Sequence, residues 1–430
     1  MKDINKYYNI CKNKLYPINR SLTGDGVRKT LKLIKKEFKD LKIKKIKCGT
    51  KVFDWKVPPE WNLKEAFIKD KDGKKIIDFN ENNLHIVGYS IPTKKFLKKK
   101  HLIKKIYSLK KQPNAIPYMT SYYNRDWGFC VTHKEKNRIN KIFKNDDKFF
   151  VRINSTLNKN GFLNYGELVI KGKSKDEILI STYICHPSMA NNELSGPIVS
   201  MSLINYFKKC SKLDKTLRFV FIPETIGSIS YLYFNYKNLK KIIGGFNLSC
   251  IGDEKNHSCM FSKYGGTPSD NSIIKAYKKL KIKNYKIYSF LERGSDERQY
   301  NSPGIDLNIA SIFRSKYGTF PEYHTSLDDF RLVTRKGILG GFKVAREAIK
   351  ILSNMIIPKY RILCEPQLGR RGMYENLSKK NNDKKSRLYL SFLQYADGKN
   401  DLEGISKLLN VSIHETNKTY YLLKKKKLLI

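Results

Sequence analysis

The sequence predicts an α/β protein built on a mixed, largely parallel sheet flanked by helices, with a small β-rich domain inserted and a helical module at its end. Three observations carry this. Between about residues 151 and 360, short apolar runs alternate with amphipathic stretches of helical period. From about 46 to 150 the pattern is instead one of short extended pieces broken by Pro, Gly, Asn and Asp. After a polar, glycine-containing linker, QLGRRGMYENLSKKNND, residues 384–430 carry three helical segments. The expected boundaries are therefore 1–45, 46–150, 151–365 and 384–430.

Taken in order, the first part is helical. In GVRKTLKLIKKEFKDLKI, Val27, Leu31, Ile34 and Phe38 recur at helical spacing with Lys on the other face. A turn-rich stretch, YPINRSLTGDGV, precedes it. In the second part KVFDWKVPPEW, KKIIDFNENN and HIVGYSIP read as strands, and Trp55, Trp61 and Trp127 are expected in that domain's core. In the third part EILISTYIC leads to a helix over Leu194–Phe207, and TLRFVFIP to one over Ser228–Tyr236. IGGFNLSCIG precedes a helix over Ser272–Leu280, and DLNIASIF precedes a long helix over Arg335–Ser353. Such buried, uninterrupted apolar strands suit a parallel sheet covered on both faces. The tail segments SRLYLSFLQYA, DLEGISKLLN and HETNKTYYLLKKKKLL suit a winged helix-turn-helix.

Composition narrows the class. The chain has 430 residues, 40% of them hydrophobic, which excludes bulk disorder and, at roughly 100–200 residues per domain, predicts about two to four domains. No apolar run reaches the ~18 residues of a membrane span. The N-terminal stretch MKDINKYYNICKNK has no apolar signal core, and the eight cysteines are scattered without a CxxC. A cytoplasmic protein with reduced thiols is expected. The formal net charge of +46 comes from 85 Lys+Arg against 39 Asp+Glu. By count the excess is mostly lysine, about 69 against about 16 arginines, and it runs through every segment rather than forming a patch. Such a spread argues for compositional bias and against nucleic acid as the partner.

Three polar motifs fall where α/β strands end, the place where open parallel sheets bind ligands. His186 follows the first strand in CHPSMANNELSG, Glu224 the second in PETIGS, and His324 the last in RSKYGTFPEYHTSLDD. Two imidazoles and a carboxylate suit a hydrolytic metal site, with the glutamate taking the proton of a water. Each has an ordinary structural alternative: a strand-end histidine, an N-capping acid, a turn residue. GSDERQ adds Arg298, a candidate clamp for a carboxylate or phosphate, and Asp296 or Glu297, either of which could receive an α-amino group. An internal salt-bridge network is the other reading of that motif. Tyr323 beside His324 is a candidate transition-state hydrogen-bond donor.

HPSMANNELSG, FIPETIGS, GDE, GSDERQ and YHTSLDD, in that order, resemble the co-catalytic zinc aminopeptidases. More closely, with RSLTGDGVR, VFDWKVPPEW and SYYNRDWGF added, the chain is similar to an aminopeptidase-like family of unknown function associated with polysaccharide biosynthesis, winged-helix tail included. The resemblance implies a zinc-exopeptidase-like fold. It places His186 and His324 at zinc-ligand positions and Glu224 at the general base. At the acidic ligand positions it places Asn192, Thr225 and Ser249, all neutral. A complete di-zinc site is therefore not expected. Either one ion, zinc or else manganese, is held by His186 and His324 with a shifted acid, Glu193 or Asp253, or the pocket holds no metal. The implied activity is hydrolysis of an amide, peptide or N-acyl bond, on a short peptide, amino-sugar or surface-polysaccharide intermediate. The alternatives are a degenerate amino-acid- or sugar-binding protein and, third, a DNA-binding regulator using the tail. Homo-oligomerisation is left open.

Overall fold

A computed structural model describes residues 2–211, 213–373 and 383–430. Most of the expected linker, residues 374–382, lies outside them. Two helices, α1 (Lys2–Ile10) and α2 (Asp25–Glu37), lead into strand β1 (Lys42–Lys47). A short hairpin follows, β2 (Lys51–Val52) and β3 (Trp55–Lys56). Next come β4 (Glu60–Lys69), β5 (Lys75–Asp78), β6 (Thr93–Lys98), α3 (Lys99–Leu102), β7 (Ile106–Tyr107), β8 (Phe129–Cys130), α4 (His133–Ile142) and β9 (Lys148–Asn158). Strands β4, β5, β6 and β9 form an antiparallel sheet in the order β5-β4-β9-β6. Strand β9 thus carries the insertion past the expected boundary at 150. Its period-2 burial belongs to the insert's sheet, which the apolar run KFFVRINST did not reveal.

The remaining strands are β10 (Phe162–Ile170), β11 (Glu177–Tyr183), β12 (Thr216–Ile222), β13 (Ile242–Leu248), β14 (Ser258–Met260), β15 (Lys286–Tyr288) and β16 (Ile309–Phe313). With β1 they make an eight-stranded sheet in the order β1-β10-β12-β11-β13-β16-β14-β15. The central pairs β12/β11, β11/β13 and β13/β16 are parallel, whereas β1/β10, β10/β12 and β14/β16 are antiparallel. Every residue of β11 is buried, as a strand covered on both faces requires. The intervening helices are α5 (Ser195–Lys209), α6 (Ile226–Asn235), α7 (Pro268–Lys279), α8 (Glu297–Tyr300) and α9 (Arg335–Asn354).

The two faces of the sheet are covered differently. One packs α1, α2, α5, α7 and α9 in a core with Leu31, Ile198, Phe221 and Ile349. The other is continuous with the insert: Val220 and Ile222 of β12 share a core with Trp61, Phe129, Trp127 and Phe149. The insert is therefore a cover for the second face rather than a separate body. Trp61 and Trp127 are 3% and 7% exposed, as a core demands, but Trp55 is 40% exposed and corrects the expectation for that residue.

The tail has its own core, with Phe392, Ile405, Tyr420 and Leu423 from α10 (Asp383–Tyr395), α11 (Leu402–Leu409) and α12 (Ile413–Lys425). Tyr360 bridges to Leu429, closing the module on its own entry segment. No helix among the described residues is long and apolar enough to cross a membrane.

Candidate functional site

Beyond β11, Ile184–Cys185–His186 carries the chain off the carboxyl end of the sheet. A π-helical turn, Ala190–Leu194, then feeds α5. The free N–H groups of that turn need partners. Asn191 and Asn192 donate theirs to the two carboxylate oxygens of Asp328 at 2.6 and 2.9 Å, and Ala190 donates to the Asp328 carbonyl. Gly196 lets the helix approach the sheet, since a Cβ there would fall 2.2 Å from Thr182 Oγ1 and 2.3 Å from the Leu248 carbonyl. These contacts fix the ledge on which His186 stands.

His186 is held from behind. Its Nδ1 is 2.8 Å from Glu193 Oε2, and its carbonyl accepts a 3.0 Å bond from Arg20 Nε. Arg20 and Glu193 are themselves fully buried, with Nε and Oε1 3.8 Å apart. Burial opposes protonation of His186, yet the adjacent Cys185 sulfur and the Glu193 carboxylate outweigh it and raise its pKa well above the usual histidine range. With Nδ1 committed, Nε2 faces outward, 3.6 Å from Glu224 Oε2. Such a carboxylate–imidazole pair fixes the ring orientation.

Glu224 follows β12. Its N–H donates to Cys185 Sγ at 3.2 Å, and its Oε1 accepts from Ser295 Oγ at 2.6 Å. Burial raises its pKa. The next residue, Thr225, sits at φ 63°, a strained conformation for a β-branched residue, and caps α6. Its N–H donates to Asp296 Oδ1 at 2.7 Å, and its Oγ1 accepts from Arg298 Nη2 at 2.8 Å. Asp296 also accepts from Ser228, while its Oδ2 is buried without a partner. Burial first, and then the charge of Glu224, push Asp296 up to about 8.

His324, at φ 56°, completes the group. Its ring centroid is 5.4 Å from that of His186, and its Nε2 is buried with no hydrogen-bond partner. Burial, reinforced by the charge on His186, lowers its pKa to about 3, so it stays neutral. Tyr118, from the insert, sets its ring edge-on to both imidazoles at 5.2 Å, and its N–H donates to the His324 carbonyl. The Tyr118 and Tyr122 hydroxyls are 3.1 Å apart. His186, Glu224, Thr225, Arg298, His324 and these two tyrosines all line one cavity of about 440 Å3.

The other expected site residues take different places. Asp253 accepts four hydrogen bonds, from Asn191 Nδ2, the Lys255 and Ser315 N–H groups and Ser315 Oγ, and so is consumed by the loops it ties together. Glu193 stands behind His186 rather than beside its free nitrogen. Asn192 accepts from Tyr183 OH at 2.7 Å and donates to Met189 Sδ. Ser249 is buried and its hydroxyl has no partner. Glu297 accepts from the Gly294 and Ser295 N–H groups and from Tyr317 OH, a structural knot. Tyr323 stacks flat on His324 at 3.9 Å and lines a neighbouring cavity of about 450 Å3, not the one that His186 and Glu224 share. Tyr118, Tyr122, Ser295 and Arg20 are the residues that the sequence reading did not assign. Arg20, Tyr122 and Ser295 sat in motifs that were singled out, RSLTGDG, SYYNRDWGF and GSDERQ, whereas Tyr118 did not.

A co-catalytic pair of ions does not fit this donor set, because its acidic positions are neutral and already hydrogen-bonded or buried. One ion fits better. His186 Nε2 faces the cavity and can ligate once it gives up the proton that Cys185 and Glu193 favour on the ring, and the orphaned His324 Nε2 is a buried nitrogen without a partner. Among the described residues, the group whose ligand atoms all lie within 4.8 Å of one another is Cys185, His186 and Glu193. There the His186–Glu193 hydrogen bond already occupies the donors, and burial pushes the Cys185 thiol up to about 11.

Residues 8–355 match the model of a domain of unknown function (DUF4910), and residues 356–430 that of a winged helix-turn-helix. A relative from Clostridium acetobutylicum, provisionally named a polysaccharide biosynthesis protein with an aminopeptidase-like domain, is 39% identical over 94% of each chain. The crystal structure of a provisionally assigned peptidase from the same organism superposes with a TM-score of 0.79 at 37% identity, covering 100% of this chain and 96% of that one. A zinc aminopeptidase from Bacillus subtilis has a TM-score of 0.61 at 14% identity, over 81% of this chain and 94% of that one, which shows a shared fold.

Proposed function

The chain belongs to the DUF4910 family, and from its site we propose that it is an aminopeptidase-like hydrolase of an amide, peptide or N-acyl bond that works with one bound metal ion. The observation that carries this reading is the pairing of His186 Nε2 with Glu224 Oε2 at 3.6 Å on the wall of a cavity, while Glu193 and Ser295 hold the far sides of both groups. His186 and His324 would hold the ion. Two protein ligands are fewer than the usual three, so the binding is expected to be weak. When bound, such an ion polarises a carbonyl and acidifies a water. Glu224 would take a proton at Oε2 from a water in the cavity and, because burial raises its pKa, return it to the leaving nitrogen. Arg298 faces the same cavity and offers its cation to an anionic group of the substrate. The substrate class is an amino-acylated or N-acylated sugar intermediate, in keeping with the name of the Clostridium relative.

A second reading is binding without turnover, favoured by Asn192, whose amide is spent on Tyr183 and Met189. Metal analysis of the chain with excess zinc separates the two. About one ion per chain, lost in both His186→Ala and His324→Ala and removed by a chelator, supports the hydrolase. Turnover of amino-acid p-nitroanilides or N-acetylated amino sugars should then fall by about 10²–10⁴-fold in Glu224→Gln. No bound metal together with no turnover would leave the binding reading.

A further inference from the structure

A second cavity, of about 330 Å3, lies beside the first, and the two share one residue, Trp55. Trp55 closes the β2–β3 hairpin opposite Val52, and the turn between them is only Phe53–Asp54. Phe53 sits there at φ 52°, in the left-handed region where a two-residue hairpin turn ordinarily places glycine or asparagine. A bulky ring at such a position is unusual on conformational grounds, so something other than the turn selects it. Its ring meets Tyr233 edge-on at 5.2 Å and Tyr236 at 6.3 Å, while Trp55 meets Tyr123 at 6.0 Å. These rings are open to solvent: Phe53 is 43% exposed, Trp55 40%, Tyr123 48% and Tyr236 55%. The result is an aromatic strip leading from the surface to the cavity that holds His186 and Glu224.

The strip is not purely apolar. Asp54, Gln299 and Ser302 line the same cavity, so ring faces stand beside hydrogen-bonding groups. That combination matches the two sides of a pyranose, whose C–H face stacks on aromatic rings while its hydroxyls take polar partners. The volume suits one or two sugar rings and is too small for a protein element. We propose that this second cavity is a sugar subsite, which holds the non-reacting glycan portion of a substrate whose reacting end passes Trp55 into the first cavity. The direction of that substrate rests on the hydrolase reading above; the binding itself does not.

The test uses the full chain and tryptophan emission, since Trp61 and Trp127 are buried and Trp55 is the exposed reporter. Three neutral or acidic probes are titrated to millimolar concentration: maltotriose, tri-N-acetylchitotriose and a trigalacturonate. Saturable change with at least one probe is expected. The emission signal should vanish in Trp55→Phe, and affinity by calorimetry should fall at least tenfold in Phe53→Ala and in Tyr236→Ala. No saturable binding of any probe, or binding indifferent to Phe53 and Tyr236, overturns the subsite. Sugar binding without turnover keeps the subsite and removes the hydrolase; turnover of amino-acid p-nitroanilides without sugar binding does the reverse.

Discussion

The floor and the roof of the candidate site are built on opposite principles. The floor, from the α/β domain, is a buried network of hydrogen bonds and charges: Arg20, Glu193, His186, Asp328 and the turn at 190–194 leave little freedom. The roof, from the insert, is made of rings meeting edge to face, Tyr118 against both histidines and Trp55 against Tyr123. Buried charges must be satisfied in one geometry, whereas ring contacts tolerate adjustment. On the reading proposed above, this is a division of labour, with the chemistry fixed below and the ligand selected above.

The floor should therefore be the costly half to disturb. Glu193→Ala strands the Arg20 guanidinium, whose Nη2 already lacks a partner, in a fully buried setting. Breaking a buried pair this way is expected to cost about 3–5 kcal/mol, read as a loss in urea or thermal unfolding. His186 would lose its orienting partner as well. A cost under about 1 kcal/mol would mean that the floor is no more rigid than the roof, and the comparison would fail.

Next in size is the joint between the halves. Arg28 of α2 donates through Nη1 and Nη2 to the two oxygens of Glu60, each at 2.6 Å, and Glu60 also accepts the Phe162 N–H. Burial would raise the Glu60 pKa, but the Arg28 hydrogen bonds prevail and hold it at about 2, against the ordinary 4.5. The folded value is depressed, so this stability is complete above the unfolded value and is lost as pH falls from about 4.5 through about 2. Glu60→Gln is expected to cost about 2 kcal/mol at pH 7 and progressively less as the pH drops through that window. A penalty that does not change with pH would place its origin in packing instead.

On the roof, Tyr122→Phe removes only the contact between its hydroxyl and that of Tyr118. About 1 kcal/mol or less is expected in unfolding, with His186 and His324 undisturbed in their NMR shifts. A larger loss would show that the roof is networked like the floor.

This division also governs what the sequence could show. The strands of the α/β domain were legible because full burial leaves continuous apolar runs, and His186 and Glu224 stood out because they follow those runs at once, His324 because the loop after the last run carries it. Asp253 and Glu193 looked like ligands by proximity in the chain, yet whether a loop acid turns toward the cavity or into backbone N–H groups depends on loop geometry. Asp253 turned inward to Ser315 and Asn191. Tyr118 and Tyr122 were not legible, because the insert reaches the site through tertiary packing alone and an aromatic residue has no spacing that marks it as roof. Trp55 was misread for a related reason. A tryptophan in a strand-like segment is a core residue by default, and only the two-residue turn beside it tips this one outward.

That turn supplies the smallest prediction and the sharpest one. Phe53→Gly and Phe53→Ala delete the same ring, so their difference isolates the backbone. At φ 52° a residue with a Cβ is disfavoured by about 1–2 kcal/mol relative to glycine. The glycine variant should accordingly be the more stable of the two by about 1 kcal/mol in thermal or urea unfolding, and at least as stable as the parent once the lost edge contacts with Tyr233 and Tyr236 are set against the relieved strain. Floor substitutions should lose stability, while this one holds or gains it and loses the aromatic surface. If Phe53→Gly proves clearly less stable than the parent, the ring is a structural prop, and its exposure no longer argues that the roof was shaped for a ligand.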